Sequence, residues 1–445
     1  MMTAPKIIIS GSGIAGSVFA FWLLRAYRNA QITIVERAPS LRLTGASVDI
    51  RSSAVDIIKW MGLEQVIRQN TTHEKGIQFV QADGEPIATF GATGKTDFQS
   101  ITSEFEIFRG ALANIFISPI LNRVKVIFDG TIESYVNHDD GVTVTLARSK
   151  DTQKYDLLVA ADGLSSKIRG MMLGGDPRDH VHDEGVHIAY FTMKEDLLDA
   201  DRFAKWYNAT KGRVIFLRPD PNPAGRTSAL LMNVTTRSDI EAKRRFNTAV
   251  REGNESYKQL LEETYKDAGW QAPKVLQSMR DSDDFYCSLF GQVSQIARSR
   301  DFAEPETCTD CSYTIHQVRA PKLCDGRVVL IGDAGYATPG IGTSLAITGC
   351  YVLAGELLDH PDDFDAALKR YEQLMVPFVN SQQSDDSFMQ MLNPQTSWGI
   401  GVRNGVLRFV TGTKLDRLVM ATAAKMGFTE KKLRLPDYKW PAVPT

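Results

Sequence analysis

The sequence is short of three things: an excess of charge of either sign, cysteine, and long apolar runs. Lysine and arginine number 51 against 53 acidic residues, a formal net charge of −2. That balance supplies no electrostatic footprint for nucleic acid or an anionic membrane. The cysteines are Cys287, Cys308, Cys311, Cys324 and Cys350. An odd, clustered set in a long chain is not a disulfide framework. No apolar stretch is long enough for a membrane span. Met1 to Lys6 leads straight into Ile7-Ile8-Ile9, which is too short for a signal core, so a cytoplasmic location is expected. Internal repeats and low-complexity tails are missing too. His180-Val-His182 has no further ligands near it and is read as surface, not as a metal pair.

What is present is ordinary globular material, 445 residues with 43% hydrophobic and 23% charged, enough for two or three domains. Lys6 to Ser10 is a short β-branched run and reads as a buried strand. Gly11-Ser-Gly13-Ile14-Ala15-Gly16 follows it and opens an apolar helix over Val18 to Tyr27. Ile32 to Val35 is a second strand, ending at Glu36. This is a β-α-β unit with the dinucleotide fingerprint. Gly11 allows the tight turn, Gly13 lets a pyrophosphate approach the backbone, and Gly16 lets helix and strand pack closely. The helix N-terminus offers free N–H groups to phosphates. Glu36 is placed to accept from ribose hydroxyls and would repel a 2′-phosphate. This motif alone does not separate FAD from NAD.

Two later segments make that distinction. Leu157-Leu-Val-Ala-Ala-Asp162-Gly163 is a strand ending in Asp-Gly. Arg327-Val-Val-Leu-Ile-Gly332-Asp333 is a strand ending in Gly-Asp, followed by Gly340, Gly342 and a helix from Thr343. Asp333 is placed to accept from a ribityl hydroxyl, and the glycines leave a helix N-terminus free to face a flavin edge or pyrophosphate. Each segment alone is equally a turn and cap. The ordered set of three is far more specific.

With Gly45-Ala-Ser-Val-Asp49-Ile-Arg51, Glu106-Ile-Phe-Arg109-Gly, Asp333-Ala-Gly-Tyr336 and Gly349 to Leu357 added, the chain resembles the single-component FAD-dependent monooxygenases of the para-hydroxybenzoate hydroxylase type. Within them it is most similar to the branch of tetracycline-inactivating and fungal biosynthetic enzymes. The resemblance implies an α/β fold with a Rossmann-like FAD-binding domain of the GR2 type, an inserted β-rich substrate domain and a C-terminal bridging helix. The FAD-binding domain would comprise 1–75, 100–178 and 318–365. The substrate domain would comprise 76–99 and 179–292, and 366–445 would be helical. Arg109 would contact the flavin ribityl chain or phosphates, Asp49 would lie near the ring system, and Arg37 by the adenosine. NAD(P)H would dock transiently, which agrees with the single GxGxxG motif. Reduced flavin and O2 would then form a C4a-hydroperoxide that oxygenates a small aromatic or polycyclic substrate. A monomer is expected. A flavin oxidase or dehydrogenase on the same fold, and an inactive flavin-binding relative, stay open as alternatives.

The chain departs from that pattern in four places. The loop from Asp333 to Gly342 is shorter than usual. Ala111 stands where Asp is expected, and Tyr336 where His is common. Apolar residues from Val406 to Met420 suggest a core-packed helix over Gly405 to Met426. The largest departure is Val293 to Gln317, which separates Gly291-Gln292 from Val318-Arg-Ala-Pro321. Cys308-Thr-Asp-Cys311 lies inside it, with no partner pair and no β-α context for a redox or metal role. We read 293–317 as a retained intron, with a genuine surface loop as the alternative. Val293-Ser294 can be encoded by GTGAGT, Thr309-Asp310 by ACTGAC, and Gln317 by CAG, which supply donor, branch-point and acceptor signals in frame. Sequencing of the mature transcript is expected to show the codons for 293–317 removed; a mature message that retains them all overturns this reading.

Overall fold

The computed structural model describes residues 4–41, 47–91, 105–177, 181–182, 185–220, 226–236, 238–291, 315–318, 320–338, 340–382, 387–413 and 433–441. The centre of the molecule is a six-stranded sheet. Its order is Cys324–Asp325, Val328–Leu330, Leu157–Ala160, Lys6–Ser10, Gln31–Val35, Lys125–Ile127. All pairings are parallel except that of Cys324–Asp325. Ile7, Ile8, Ile9, Leu157, Leu158 and Val159 are fully buried. Continuous apolar strands are what a sheet covered on both faces requires. Helix Ile14–Ala26 covers it, and the long helix Gly342–Asp359 packs along that helix. Both are apolar on nearly every side, so they sit in the core instead of on its surface.

The turn into the first helix is fixed by two close approaches. A Cβ on Gly11, whose φ is +103°, would lie 2.5 Å from the Ala161 carbonyl oxygen. A Cβ on Gly16 would lie 2.0 Å from the Gly11 oxygen. No other residue type permits the helix to leave the strand at this angle.

A nine-stranded sheet forms the second layer. Its order is Val181–His182, Ile315–Val318, Tyr286–Gly291, Val186–Met193, Thr227–Val234, Arg213–Pro219, Phe203–Ala209, Gly76–Val80, Pro86–Gly91. One face buries Ala189, Phe191, Ile215, Leu217 and Leu231 against helices Ile240–Glu252, Asn254–Tyr265 and Ala272–Arg280. The other face carries Ile188, Phe216, Phe79 and Met232. A two-stranded ribbon, Ser47–Asp49 with Glu106–Phe108, lies apart from both sheets.

Of the expected insertion, 293–314 lies outside the described residues. Ile315 to Gln317 belong to strand Ile315–Val318, which pairs with Tyr286–Gly291 and Val181–His182. The expected helix over Gly405 to Met426 also differs. The helix runs Ser397–Gly412, and 414–432 lies outside the described residues. The Thr396 hydroxyl caps it by accepting from the Gly399 amide at 3.1 Å. Within its described part, Val406 and Phe409 are 56% and 63% exposed, and Leu415 to Met420 of the expected stripe lie outside the described residues. Leu407 does reach the sheet, and the helix is anchored by polar contacts. Arg403 donates to Asn208 at 2.7 Å, and Asn208 donates to the buried Asn393 at 2.7 Å.

The C-terminal segment 433–441 straps over the long helix. Tyr438 is buried, packs on Tyr351 and Trp440, and donates to Glu356 at 2.7 Å. Tyr438→Ala leaves a ring-sized cavity and strips Glu356 of a donor. It is expected to cost about 3–5 kcal/mol, read as a lowered midpoint in urea unfolding.

Candidate functional site

The strands end in register. Ser10 pairs with Val35 on one side and Ala160 on the other, and Ala160 pairs with Leu330. Backbone bonds continue one residue further: Gly11 N donates to Val35 O at 2.8 Å, Ala161 N to Ser10 O at 2.8 Å, and Ile331 N to Ala160 O at 2.9 Å. Glu36, the glycine turn, Asp162 and Asp333 therefore emerge side by side at the carboxyl edge of the sheet. In open α/β sheets this edge is where ligands bind.

At one end Glu36 faces the glycine turn. Its Oε2 accepts from the Ser12 amide at 2.9 Å and the Ser12 hydroxyl at 2.8 Å, and its Oε1 accepts from the Ala38 amide at 2.9 Å. A carboxylate has about four lone-pair sites, so acceptor capacity remains on Oε1. Arg37, next in sequence, is exposed. In the middle, Asp162 is half-buried, with its Oδ1 out of reach of solvent. Burial raises its pKa, and the Ser166 hydroxyl and Arg169 oppose that shift. Its Oδ1 has no hydrogen-bond partner among the described residues. Added Cβ atoms on Gly13, Gly163 and Gly340 would meet nothing within 4 Å, so the backbone there is open to a close ligand. Ile14 and Ala15 are buried beneath the turn. Ala15 touches the second Gly-Asp turn, since a Cβ on Gly332 would lie 2.8 Å from the Ala15 Cβ.

At the other end Arg109 meets Asp333 across 224 residues of sequence, with Nη2 to Oδ2 at 3.4 Å. Arg109 is the first residue of helix Arg109–Ile117, directly after the ribbon. Gly342 opens the long helix, and a Cβ on it would lie 3.4 Å from Asp333 Oδ1. Tyr336 does not join the site. It is buried in the core, where Tyr371 donates to its oxygen at 3.2 Å. Pro339 lies outside the described residues.

Asp49 lies on the ribbon opposite Glu106. Arg51 donates to Asp49 Oδ2 at 2.8 Å, and its backbone amide donates to Ser344 Oγ in the first turn of the long helix at 2.8 Å. Arg218 reaches in from the nine-stranded sheet. It forks onto Glu74 at 2.8 and 3.0 Å and also contacts Glu106 and Ser47. Burial, then the neighbouring Glu106, push the Asp49 carboxyl up to about 7. Burial likewise pushes Glu74 up to about 7, against the pull of Arg218. Burial alone would lower the Arg218 pKa, but Glu106 and Glu74 hold it above its usual value.

Sequence reasoning placed Gly11, Gly13, Gly16, Glu36, Asp162, Gly163, Asp333, Gly340 and Gly342 along one edge, where the structure puts them. Ser12, Arg51, Glu106 and Arg169 stand inside the motifs but were not singled out. Glu74, Arg218 and Ser344 belong to no motif. Arg169 is fully buried, with Nη1 donating to Ala334 O at 2.9 Å and Nη2 to Leu164 O at 2.5 Å and to Pro177 O. Burial lowers its pKa to about 10, and Asp162 and Asp333 oppose that shift. It ties the Asp162 turn to the Asp333 turn. A buried Arg after an Asp-Gly turn was the one available signal.

This edge has carboxylates at both ends, open glycine backbone between them, and the N-terminus of the Gly342–Asp359 helix beside Asp333. It suits an elongated ligand with central phosphates and hydroxyl or N–H donors at its ends. No protein-family profile matches the chain. The FAD-dependent monooxygenase asL4 of Sarocladium schorii is 30% identical over 98% of this chain and 99% of its own length. The FAD-dependent monooxygenase asL6 of the same fungus is 32% identical, over 97% of this chain and 98% of its own. Among solved structures, tetracycline destructase Tet(55) aligns with a TM-score of 0.71 and 28% identity, covering 98% of this chain and all of that one.

Arg169→Met removes the donors from three buried carbonyls while keeping much of the side-chain volume. Each orphaned acceptor costs about 1–3 kcal/mol. The variant is expected to unfold at markedly lower urea concentration than the parent protein, with an unchanged dependence on urea per molar.

Proposed function

The chain belongs to the FAD-dependent monooxygenases, and from that premise we propose that it uses NAD(P)H and O2 to place one oxygen atom on a small aromatic or polycyclic metabolite. The second oxygen atom leaves as water. The observation that carries this reading is the alignment of the glycine turn, Asp162 and Asp333 at one sheet edge, together with a buried oxygen each on Asp162 and Asp49 that has no donor among the described residues. Those oxygens and the open glycines fit a flavin nucleotide, which brings donors at both ends and phosphates between them.

In this reading the amides of Gly11 to Gly16, including those of Ile14 and Ala15, hold the pyrophosphate. Glu36 accepts from the ribose and Arg37 lies by the adenosine. Asp162 and Gly163 border the middle of the molecule. Arg109 and Asp333 hold the ribityl chain, Gly340 and Gly342 leave the long helix's first turn open to the ring, and Asp49 lies beside it. When bound, FAD supplies hydride acceptance and oxygen activation. The protein orients the substrate and keeps water out. The six-stranded sheet and its helices form the FAD-binding domain of the GR2 type, discontinuous over 1–75, 100–178 and 318–365. The nine-stranded sheet is the inserted substrate domain. Its face with Phe216 and Met232 gives a planar substrate an apolar wall, and Phe79 packs on Trp206 behind it. A C-terminal bridging helix completes the arrangement. NAD(P)H docks transiently, and the fungal relatives favour a place in secondary metabolism.

Purified protein is incubated with FAD, NAD(P)H and isotopically labelled O2 against a panel of polycyclic phenols, tetracycline among them. One labelled oxygen per product molecule is expected. Stoichiometric peroxide with unoxygenated product would instead establish an oxidase. Failure to take up FAD would establish an inactive relative.

A further inference from the structure

The seam between the ribbon and the nine-stranded sheet encloses three carboxylates and two guanidiniums. Asp49 and Glu106 are directly opposite on the ribbon, so their side chains share a face. Glu74 precedes strand Gly76–Val80, and Arg218 comes from strand Arg213–Pro219. The side chains of Glu74, Glu106 and Arg218 are 2%, 9% and 12% exposed, so water screens them little. Fully ionised, the five groups carry one negative charge in excess, and one bound proton brings them to neutrality. Isolated buried charge is costly, so the proton is the natural remedy.

The cluster reaches the Asp333 end of the sheet edge by two routes. Asp49 is held by Arg51, whose amide is bonded to Ser344 at the start of the long helix. Glu106 lies three residues before Arg109, which pairs with Asp333. Among the described residues, partly buried Tyr190 lies near both Arg218 and Arg109, and His73, next to Glu74 in sequence, is exposed and shares a hydrogen bond with Thr71 at 3.2 Å. Asp49 Oδ1 is buried with no donor among the described residues.

We propose that Asp49, Glu74, Glu106, Arg51 and Arg218 act as one proton-exchanging unit coupled to the flavin-ring site, with Glu74 and Glu106 as positioning residues that act through Arg218 and Asp49. The proposal rests on the FAD reading above. A donor on the bound flavin that reaches Asp49 Oδ1 favours the carboxylate over the acid. Filling the site therefore expels the stored proton. The raised carboxyl pKa values place this exchange near neutrality. Affinity for FAD then rises with pH through that region, by up to about tenfold per unit for a single proton. Stability of the apoprotein runs the other way. Carboxyls whose folded pKa is raised hold protons that the unfolded chain has lost, so stability falls from about pH 4 to about pH 7 and then levels.

The test is FAD titration of the deflavinated full-length protein at pH 6, 7 and 8, followed by quenching of flavin fluorescence. It is paired with calorimetry at pH 7 in two buffers of different ionisation enthalpy. Affinity that climbs with pH and a buffer-dependent heat corresponding to proton release are expected. Glu74→Gln keeps an oxygen acceptor for Arg218 but removes the excess charge, so its affinity is expected to be flat with pH and close to the parent value at pH 8. Binding of FAD with no pH dependence and no proton release overturns the proposal while leaving the FAD reading intact. A slope that persists unchanged in Glu74→Gln assigns the proton elsewhere and also overturns it. Absence of FAD binding at every pH overturns both. If Glu74→Gln does not fold, the calorimetry on the parent protein decides alone.

Discussion

The architecture depends on three parallel strands ending at the same level and being held there. Strand ends are ordinarily followed by loops that drift apart. Here the turns after Ser10, Ala160 and Ile331 are locked by two devices. Gly11 and Gly16 allow backbone to touch backbone, so the first turn lies against Ala161. Arg169 then places one guanidinium between the second and third turns, with carbonyls of Leu164, Pro177 and Ala334 around it. A buried cation is tolerable only when its donors are met and a counter-charge is near. Asp162 and Asp333 supply that charge. The same two carboxylates are the ones the cofactor reading needs, so the clamp that orders the turns also sets their electrostatics.

How much of this was legible in the sequence follows from how local each feature is. The glycine turn, Glu36 and the strands around them sit within about one β-α-β unit, where spacing and residue type fix geometry. Asp162 and Asp333 were legible because each follows an apolar strand directly. The Arg218 cluster was not, because Ser47, Glu74, Glu106 and Arg218 come from separate elements whose meeting depends on how the ribbon docks on the sheet. Arg218 reads on its own as a polar residue at a strand end. The earlier start of the C-terminal helix was missed for a different reason. Gly399, Gly401 and Gly405 weaken its helical signal, and in its described part polar bonds from Arg403 anchor it beside the Leu407 contact.

The two acidic regions of the edge behave differently for a reason visible in their surroundings. Glu36 accepts from two backbone amides and a hydroxyl at the half-open end. Asp49 and Glu74 are enclosed with another carboxylate beside them, which favours the neutral form. One end of the edge therefore presents a carboxylate already held by backbone donors, and the other carboxyls whose burial favours the neutral form.

That difference explains why the ribbon is a separate element at all. Two strands of three residues contribute little hydrogen-bond energy and could have merged into either sheet. Standing apart, the ribbon brings Asp49 and Glu106 against Arg218 on one sheet, while its continuation into Arg109 and its link from Arg51 to Ser344 reach the edge of the other. In the proposed coupling, a shift of the nine-stranded sheet pulls on Arg218, and through it on Glu106 and Asp49, and a change of charge at Asp49 is felt at Arg218 in turn. The coupling is reciprocal because it is a single set of charges shared by two surfaces, and nothing in it requires the backbone of either sheet to deform.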